Sequence, residues 1–241
     1  NNGSNWLKVP GIPNSITSFT QAQHGYLFAG SDYPGSGNTG VYRSTDNGNS
    51  WIYVNFSYTV KSLLGKIPGI IFAGVYPQGV YKSTNNGTNW TLSSNGIDNN
   101  GVNSLEAAGN GYLFAGGYST GKIYRSIDTG ASWQVVYSSG QSDMVYKILA
   151  SPVNNNLYAC IGGKGIYCST DFGTSWSYFS LNSNNILDLE IDLQNNFYAI
   201  SSYKYFISIY GGLTWLERNL MLTGSNNLKN ILPDSNYNII A

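Results

Sequence analysis

The sequence predicts an all-β fold, a β-propeller of four-stranded antiparallel blades, because a motif recurs along it with the period of a blade. The pattern S-x-D-x-G-x-[ST]-W recurs in five gap-free copies, some of them degenerate, at residues 44–51, 83–90, 126–133, 169–176 and 208–215. The five motif tryptophans are separated by 39, 43, 43 and 39 residues, and a four-stranded blade takes roughly 40–45 residues. No window shows a sustained 3.6-residue apolar period, so helical repeats of similar length are excluded.

The motif fits a hairpin turn between the third and fourth strands of a blade. We expect its aspartate to accept hydrogen bonds from turn amides, its glycine to adopt positive φ, and its tryptophan to pack between neighbouring sheets. Asn85 and Tyr210 replace the aspartate in the second and fifth copies, and residues 3–6 form a partial copy. The motif positions expected to carry the structure are Ser44, Asp46, Gly48, Trp51, Ser83, Gly87, Trp90, Ser126, Asp128, Gly130, Trp133, Ser169, Asp171, Gly173, Trp176 and Trp215.

Four short β segments can be assigned in order within each repeat. The inner strand is predicted at residues 16–19, 60–63, 102–105, 145–148 and 186–189, and the second strand at residues 26–30, 70–74 and 112–116. The third strand ends at the motif serine, as at residues 41–44, and the fourth begins at the motif tryptophan. Clusters of Gly, Pro, Asn and Asp between these segments predict turns.

The two ends of the chain predict how the ring closes. An inner strand at residues 228–232 and a second strand at residues 237–241 follow the last motif, and residues 6–9 supply only a fourth strand. We therefore expect one domain over residues 1–241, with five full blades and a split sixth closed by the termini. The alternative is a fragment of a longer propeller, and an unpaired edge in either case favours self-association through the terminal strands.

Composition excludes several classes of partner. Lys and Arg number 12, as do Asp and Glu, so the chain has no net charge with which to attract nucleic acid or an anionic membrane. No stretch reaches the roughly 18 apolar residues of a membrane-inserted helix. A surface of amides, hydroxyls and tyrosines is typical of exported proteins, so we expect an extracellular or periplasmic location, although no signal peptide is present in the sequence.

Neither a metal nor a cofactor is predicted. His24 is the only histidine, and Cys160 and Cys168 alone cannot complete a zinc site. These two cysteines lie in one repeat, either as buried thiols or as a cross-strand disulfide. No glycine-rich loop follows a strand and opens a helix, so nucleotide binding has no support.

The five motifs resemble those of the Asp-box, or bacterial neuraminidase repeat, superfamily. Its propellers include sialidases, xyloglucan-cleaving glycosidases, sortilin-type receptors and photosystem assembly factors, so the resemblance implies the fold but leaves the function open. A sialidase would need an arginine triad and an Arg-Ile-Pro motif. This chain has only Arg43, Arg125 and Arg218, and Arg43 and Arg125 occupy equivalent repeat positions that do not converge on one carboxylate.

The best candidate for catalysis is a group of carboxylates on one inner strand. A glycoside hydrolase of the xyloglucanase-like type needs paired acidic residues, one as acid and one as base. Asp188, Glu190 and Asp192 alternate in sequence and therefore share a strand face, and Glu106 is equivalent to Glu190 in another repeat. The alternative is that these groups merely line the central channel. The residues equivalent to Asp188 in the other repeats are Ser18, Ser62, Ser104 and Lys147.

Loops on the face opposite the motif turns are the predicted ligand-binding surface. They differ in length between repeats, and variable loops on a repeated scaffold usually carry function. Tyr33, Tyr76 and Tyr118 recur in equivalent loops of adjacent blades, where aromatic rings could stack on a sugar or contact a protein. The alternative is that these tyrosines only cap the loops. Further candidates for this surface are Tyr58, Asn99 and Tyr146.

These observations favour a non-catalytic extracellular binding or scaffold propeller whose partner is a protein or a glycan. Two other functions stay open at this point: a glycoside hydrolase using Asp188 and Glu190, and a structural subunit joined through its open terminal blade.

Overall fold

The computed structural model describes residues 8–22, 25–32, 39–98, 100–182, 184–209, 211–219, 232–233 and 239–240. Within these residues the chain is all-β and forms five four-stranded antiparallel sheets arranged in a ring, a five-bladed β-propeller. In every blade the strands follow chain order from the channel outward, so the repeat unit predicted from the motif spacing is confirmed.

The strand bounds show the repeat directly. The first blade contains β1 (Ile16–Gln21), β2 (Leu27–Ser31), β3 (Val41–Ser44) and β4 (Ile52–Tyr53). The second contains β5 (Thr59–Leu64), β6 (Ile71–Tyr76), β7 (Gly79–Ser83) and β8 (Thr91–Leu92). The third contains β9 (Val102–Ala107), β10 (Leu113–Gly117), β11 (Lys122–Ser126) and β12 (Gln134–Ser138).

The last two blades follow the same order. The fourth contains β13 (Val145–Ala150), β14 (Leu157–Ile161), β15 (Gly165–Ser169) and β16 (Ser177–Ser180). The fifth contains β17 (Asp188–Ile191), β18 (Phe197–Ile200), β19 (Lys204–Ser208) and β20 (Leu216–Asn219). Each fourth strand begins one residue after the motif tryptophan rather than at it, because the indole still belongs to the turn.

The predicted split blade falls largely outside the described residues. Strands β21 (Leu232–Pro233) and β22 (Ile239–Ile240) pair antiparallel. β22 lies within the segment 237–241 where a strand was expected, and β21 begins at the last residue of the expected segment 228–232 and extends one residue beyond it. Residues 1–7, 220–231, 234–238 and 241 lie outside the description, and with them the predicted pairing of the two termini.

The motif turn has the geometry that its residue types predict. In the first copy, Asp46 Oδ1 accepts hydrogen bonds from the Ser50 amide at 2.9 Å and from Ser44 Oγ at 2.7 Å. The Asn49 amide donates to the Asp46 carbonyl, and both residues between them have positive φ, Asn47 at 57° and Gly48 at 86°. Two consecutive residues with positive φ define a type I′ turn, which matches the twist of a hairpin.

Four of the five motif glycines, all but Gly48, also leave room for an aromatic ring of the preceding blade. A Cβ placed on Gly87, Gly130 or Gly173 would lie 2.7, 2.7 or 2.3 Å from the ring of a second-strand phenylalanine. These rings are Phe28, Phe72 and Phe114. Tyr158 stands at the equivalent position in the fourth blade, and there the motif glycine Gly212 packs against Phe179 instead.

Four of the five motif tryptophans pack into apolar clusters as predicted, whereas Trp51 contacts Phe19 of its own blade. Trp133 is 4% exposed, and Trp90, Trp176 and Trp215 pack against separate apolar clusters. The indole nitrogens of Trp51, Trp90 and Trp215 donate to their own motif glycine carbonyls, whereas that of Trp133 donates to the Ser93 carbonyl of the second blade at 2.7 Å.

Basic residues that precede the motif serine connect successive blades. Arg43 donates to the Asn86 carbonyl at 2.7 Å, Lys82 to the Thr129 carbonyl at 2.9 Å, and Arg125 to the Phe172 carbonyl at 3.1 Å. Each acceptor is the residue of positive φ before the next motif glycine. Arginines at these positions are therefore structural, in agreement with the argument against a sialidase site. Cys168 occupies this position in the fourth blade.

The two cysteines are free and buried. They lie on neighbouring strands of the fourth blade, but Cys160 is registered with Ile166 and Cys168 with Tyr158. Because they are not opposite each other, the buried-thiol interpretation is confirmed and the disulfide alternative is wrong.

Candidate functional site: the central channel and its loop-face mouth

The inner strands of the five blades enclose a cavity of about 680 Å³ on the propeller axis. This volume falls within the range of small-molecule sites, roughly 300–1,000 Å³. Residues from every blade line it, including Ser18 from the first, Lys61 from the second, Tyr118 from the third, Lys147 from the fourth and Asp188 from the fifth. The cavity is therefore a property of the ring rather than of any one blade.

Inner-strand hydroxyl groups connect neighbouring blades. Ser18 Oγ accepts a hydrogen bond from the Leu63 amide at 2.9 Å, and Ser104 Oγ accepts one from the Ile148 amide at 2.8 Å. Thr17 Oγ1 donates to the Val60 carbonyl at 2.7 Å. These bonds compensate for the lack of a backbone ladder between blades, so much of the inner-strand polarity has a structural use.

The two catalytic candidates share one lysine. Lys147 Nζ lies 2.9 Å from Asp188 Oδ1 and 2.9 Å from Glu190 Oε1, and therefore joins the inner strands of the fourth and fifth blades. Asp188 is buried, with 5% of its side chain exposed, whereas 25% of the Glu190 side chain is exposed. Asp192, expected on the same face, lies after the end of β17 and accepts hydrogen bonds from Asn196 and Tyr198 in a turn.

The electrostatics of this cluster follow from burial and pairing. Burial opposes the charge on Lys147, but the carboxylates of Asp188 and Glu190 outweigh it and raise the pKa of the ammonium. Burial raises the pKa of Glu190, while Lys147 partly offsets that shift. Burial also raises the pKa of the neighbouring Cys160 thiol, with the Asp188 carboxylate adding to the effect. The thiol is thus kept protonated and unreactive.

The other charged side chains of the cavity wall are also paired. Lys66 binds Glu106, the acid in the position equivalent to Glu190. Nearer the opposite end of the inner strands, Lys61 Nζ lies 3.0 Å from Asp32 Oδ2, and Ser15 Oγ donates to Asp32 Oδ1 at 2.8 Å. Each lysine lining the cavity thus has a carboxylate partner.

Two of the predicted loop tyrosines meet beside the cavity. The rings of Tyr76 and Tyr118 pack with centroids 4.6 Å apart at 47°, and Tyr76 is 42% exposed. Tyr118 lines the cavity, and Lys61 Nζ lies 5.5 Å from its ring centroid, within the range of a cation–π contact. We call the group Asp32, Lys61, Tyr76 and Tyr118 the channel mouth; it lies on the face opposite the motif turns. Tyr33 lies outside the described residues.

The remaining predicted residues do not join this group. Tyr58 stacks on Tyr81 at 4.8 Å and packs against Phe56, within an aromatic cluster between the first two blades. Tyr146 lines the cavity, and its carbonyl accepts a hydrogen bond from Asn103 Nδ2 at 3.0 Å. Asn99 lies outside the described residues. The structure therefore assigns Tyr58 to packing and Tyr146 to the channel wall.

One aromatic side chain on the loop face was not predicted. Tyr203 is 72% exposed in the turn between β18 and β19, the fifth-blade counterpart of the loops that hold Tyr76 and Tyr118. Its neighbour Ser202 lines the cavity. Extending the alignment of second-to-third-strand loops to the fifth repeat would have found it.

No group of three or more His, Cys, Asp or Glu side chains is placed to hold a metal ion in the parts of the chain that the structure describes. Over the same residues, no helix is long and apolar enough to cross a membrane.

Comparison with known families identifies the chain. The model of the DUF6242 β-propeller domain matches residues 93–241, more than half of the sequence. The chain belongs to the DUF6242 β-propeller domain family. No curated protein matches it.

Solved structures share the fold of this DUF6242 propeller at low sequence identity. An ancestral GH74 enzyme has a TM-score of 0.70 at 21% identity, covering 93% of this chain and 34% of the enzyme. The extracellular domain of the putative one component system BT4673 from B. thetaiotaomicron has a TM-score of 0.67 at 16% identity, covering 97% of this chain and 38% of that one. YCF48 bound to D1 peptide has a TM-score of 0.58 at 16% identity, covering 84% of this chain and 66% of YCF48.

These similarities establish the propeller fold and no more, because all three identities are below 25%. The chain spans about a third of the length of the GH74 enzyme and the BT4673 domain. Enzymes and binding proteins occur together among the neighbours, so the function has to be argued from the site.

Proposed function

We propose that this chain is a non-catalytic binding propeller that recognises a protein or a glycan at its channel mouth. The observation that carries the proposal is the contrast between the side chains within the channel and those at its mouth. The candidate catalytic carboxylates Asp188 and Glu190 are both held by Lys147, whereas Tyr76 and Tyr118 form an aromatic pair with an exposed ring. A rigid ring of blades holds that pair in place, so the mechanism is display of a preformed surface.

The aromatic pair suits recognition because its position is already fixed before a ligand arrives. Tyrosine rings provide a large contact area and lose little conformational entropy on binding. The pair is supported from the second blade by Lys61, which is itself held by Asp32 of the first. Three blades therefore contribute to one surface, and a ligand there would not have to order it.

A binding screen tests this proposal. The chain is applied to arrays of oligosaccharides and of peptides, beside the double variant Tyr76→Ala/Tyr118→Ala. Tyr178→Ala is the matched control, because Tyr178 is exposed on the outer strand of the fourth blade. We expect the double variant to lose binding that the control keeps. Binding that survives the double substitution would place the recognition surface elsewhere.

A glycoside hydrolase is the second candidate, and one observation favours it. Glu190 has a raised pKa because it is buried, and a general acid needs such a shift. The Lys147 ammonium between the two carboxylates opposes this role, since it stabilises both in their charged forms. Release of reducing ends from a polysaccharide by the parent chain, lost in Asp188→Asn/Glu190→Gln, would favour the enzyme over the binding protein.

The location of the protein and its assembly are two further proposals. We propose an extracellular or periplasmic location from the amide-, hydroxyl- and tyrosine-rich composition, and the BT4673 domain of similar fold is an extracellular one. Self-association through the terminal strands is the structural alternative. A mass by light scattering that rises with concentration would support it, and a constant monomer mass would contradict it.

A further inference from the structure

The charges around the cavity limit what kind of ligand it can recognise. The lysines that line it are Lys61, Lys66 and Lys147, and their partners are Asp32, Glu106, Asp188 and Glu190. No charged side chain among the described lining residues lacks an opposite charge. A charged ligand would have to separate one of these pairs or be desolvated without a counter-charge, and both are unfavourable.

The pair at the channel mouth is also withdrawn from solvent. Only 18% of the Lys61 side chain and 22% of the Asp32 side chain are exposed. The Lys61 ammonium lies over the Tyr118 ring, and Ser15 Oγ holds the second oxygen of Asp32. These contacts fix the Lys61–Asp32 pair in place. The pair therefore orients the Tyr118 ring and does not offer a free charge to an ionic ligand.

The two tyrosines have different surroundings. Tyr118 contacts Lys61 and Tyr76, and it is partly buried. Tyr76 is the more open of the two, at 42% exposure, and one side of it rests on Gly101, where an added Cβ would come within 2.9 Å of Cδ2. Tyr76 therefore offers the ring surface for stacking, and Tyr118 supports it from the side of the channel.

Polar groups without formal charge lie on the same cavity wall. Asn103 Nδ2 donates to the Val145 and Tyr146 carbonyls at 3.1 and 3.0 Å, which fixes the amide with its oxygen available as an acceptor. Tyr146 also lines the cavity, as does Ser15. A stacking ring next to neutral hydrogen-bonding groups matches the chemistry of a sugar, which has an apolar C–H face and a rim of hydroxyls.

We infer that the channel mouth binds an uncharged saccharide, with one sugar ring stacked on Tyr76 and with Tyr118 as a positioning residue behind it. This inference rests on the proposed function, because it names the ligand class of the same surface. It selects a glycan over a protein, and a neutral glycan over an acidic one.

The test compares three sets of probes on one array: neutral hexasaccharides of glucose, mannose and xylose, oligogalacturonates, and peptides. We expect binding to at least one neutral hexasaccharide, with an affinity that does not change when the salt concentration is raised. Tyr76→Ala should weaken this binding about tenfold or more, because the stacking contact is lost. The control Tyr178→Ala should leave it unchanged.

The role of Tyr118 has its own readout. Tyr118→Ala should weaken binding of the same hexasaccharide, because Tyr76 loses the ring that supports it. Tyr118→Phe keeps that ring, so it should bind with an affinity close to that of the parent chain and unfold at the same thermal midpoint. Loss of binding in Tyr118→Phe would show that the hydroxyl contacts the ligand and would overturn the positioning role.

The outcomes separate the two proposals. Binding confined to oligogalacturonates or peptides, yet lost in Tyr76→Ala, overturns this inference and leaves the binding function in place. Neutral saccharide binding that Tyr76→Ala and Tyr118→Ala do not change overturns both. Failure of every neutral hexasaccharide to bind also counts against the inference.

Discussion

At the scale of single residues, the motif aspartate is a local anchor whose strength depends on its charge. Asp128 accepts from the Ser132 amide and from two hydroxyls, and these bonds lower its pKa to about 2 from 3.8. Asn85 keeps only part of this set, accepting from the Asn89 amide and Ser83 Oγ. The second copy of the motif also has Asn89 where the third has Ser132, so it lacks the hydroxyl that Ser132 donates to Asp128 Oδ2.

We predict that Asp128→Asn lowers the thermal unfolding midpoint at pH 7 by about 2–4 °C, because one acceptor oxygen becomes an amide nitrogen. The pKa of Asp128 is depressed in the folded chain, so the stability that its carboxylate contributes is fully present above about pH 3.8 and is lost as the pH falls through about 2. Circular dichroism melts at pH 7 and pH 2 should therefore show a narrower gap at pH 2. An equal gap at both values would contradict this account.

The reverse substitution is the matched control. Asn85→Asp should raise the midpoint at pH 7, since its carboxylate could accept from the same turn. The gain should be smaller than the loss in Asp128→Asn, because Asn89 has no hydroxyl to donate where Ser132 Oγ donates to Asp128. No gain at all would contradict the role given to the carboxylate.

At the scale of elements, the motif glycines act between blades as well as within turns. Gly173 has φ of +76°, and a Cβ there would lie 2.3 Å from Phe114 Cε1. Gly111 has φ of +85° with nothing within 4 Å of the same position. The two residues differ in their surroundings but not in their type of backbone conformation.

We predict that Gly111→Ala costs about 1–2 kcal/mol of unfolding free energy through its backbone alone. Gly173→Ala should cost about 1–3 kcal/mol more, because Phe114 must also move. Urea unfolding of the two variants measures the difference. Equal losses would show that the contact between blades does not constrain Gly173.

Lys147 joins the inner strands of two blades and gives a second prediction at this scale. Lys147→Met removes the ammonium that the carboxylates of Asp188 and Glu190 share, and should cost about 3 kcal/mol, at the lower end of the range for breaking buried pairs. Adding Asp188→Asn and Glu190→Gln should recover part of the loss. No recovery in urea unfolding would contradict the assignment of the loss to the two carboxylates.

The sequence predicts the elements better than their contacts. The motif spacing predicts the blades, and its residue types predict the turn, because both depend on neighbours in the chain. The bonds from Arg43, Lys82 and Arg125 to the next motif could not be predicted, since they depend on how one blade is rotated against another. The pairing of Lys147 with Asp188 could not be predicted for the same reason.

At the scale of the whole molecule, the ring brings the inner strands of all five repeats around one cavity. Paired charges line its channel, and an aromatic pair lies at its mouth. One part of the candidate site could be predicted from the sequence: Tyr76 and Tyr118 lie close together because they occupy equivalent loops in adjacent blades. The neutralisation of the acidic residues could not be predicted, because their lysine partners come from neighbouring repeats. The site depends on how the blades are arranged around the axis, and the order of repeats along the chain predicts only part of that arrangement.

The central claim is that ligands bind at the channel mouth and not at the carboxylates within the channel. Hydrogen–deuterium exchange with and without the tightest-binding neutral hexasaccharide tests it most directly. We predict slower exchange in the loops at residues 76–78 and 117–121, with no change in β17 or in the motif turns. Protection centred on β17, where Asp188 and Glu190 lie, would contradict the claim and favour the hydrolase.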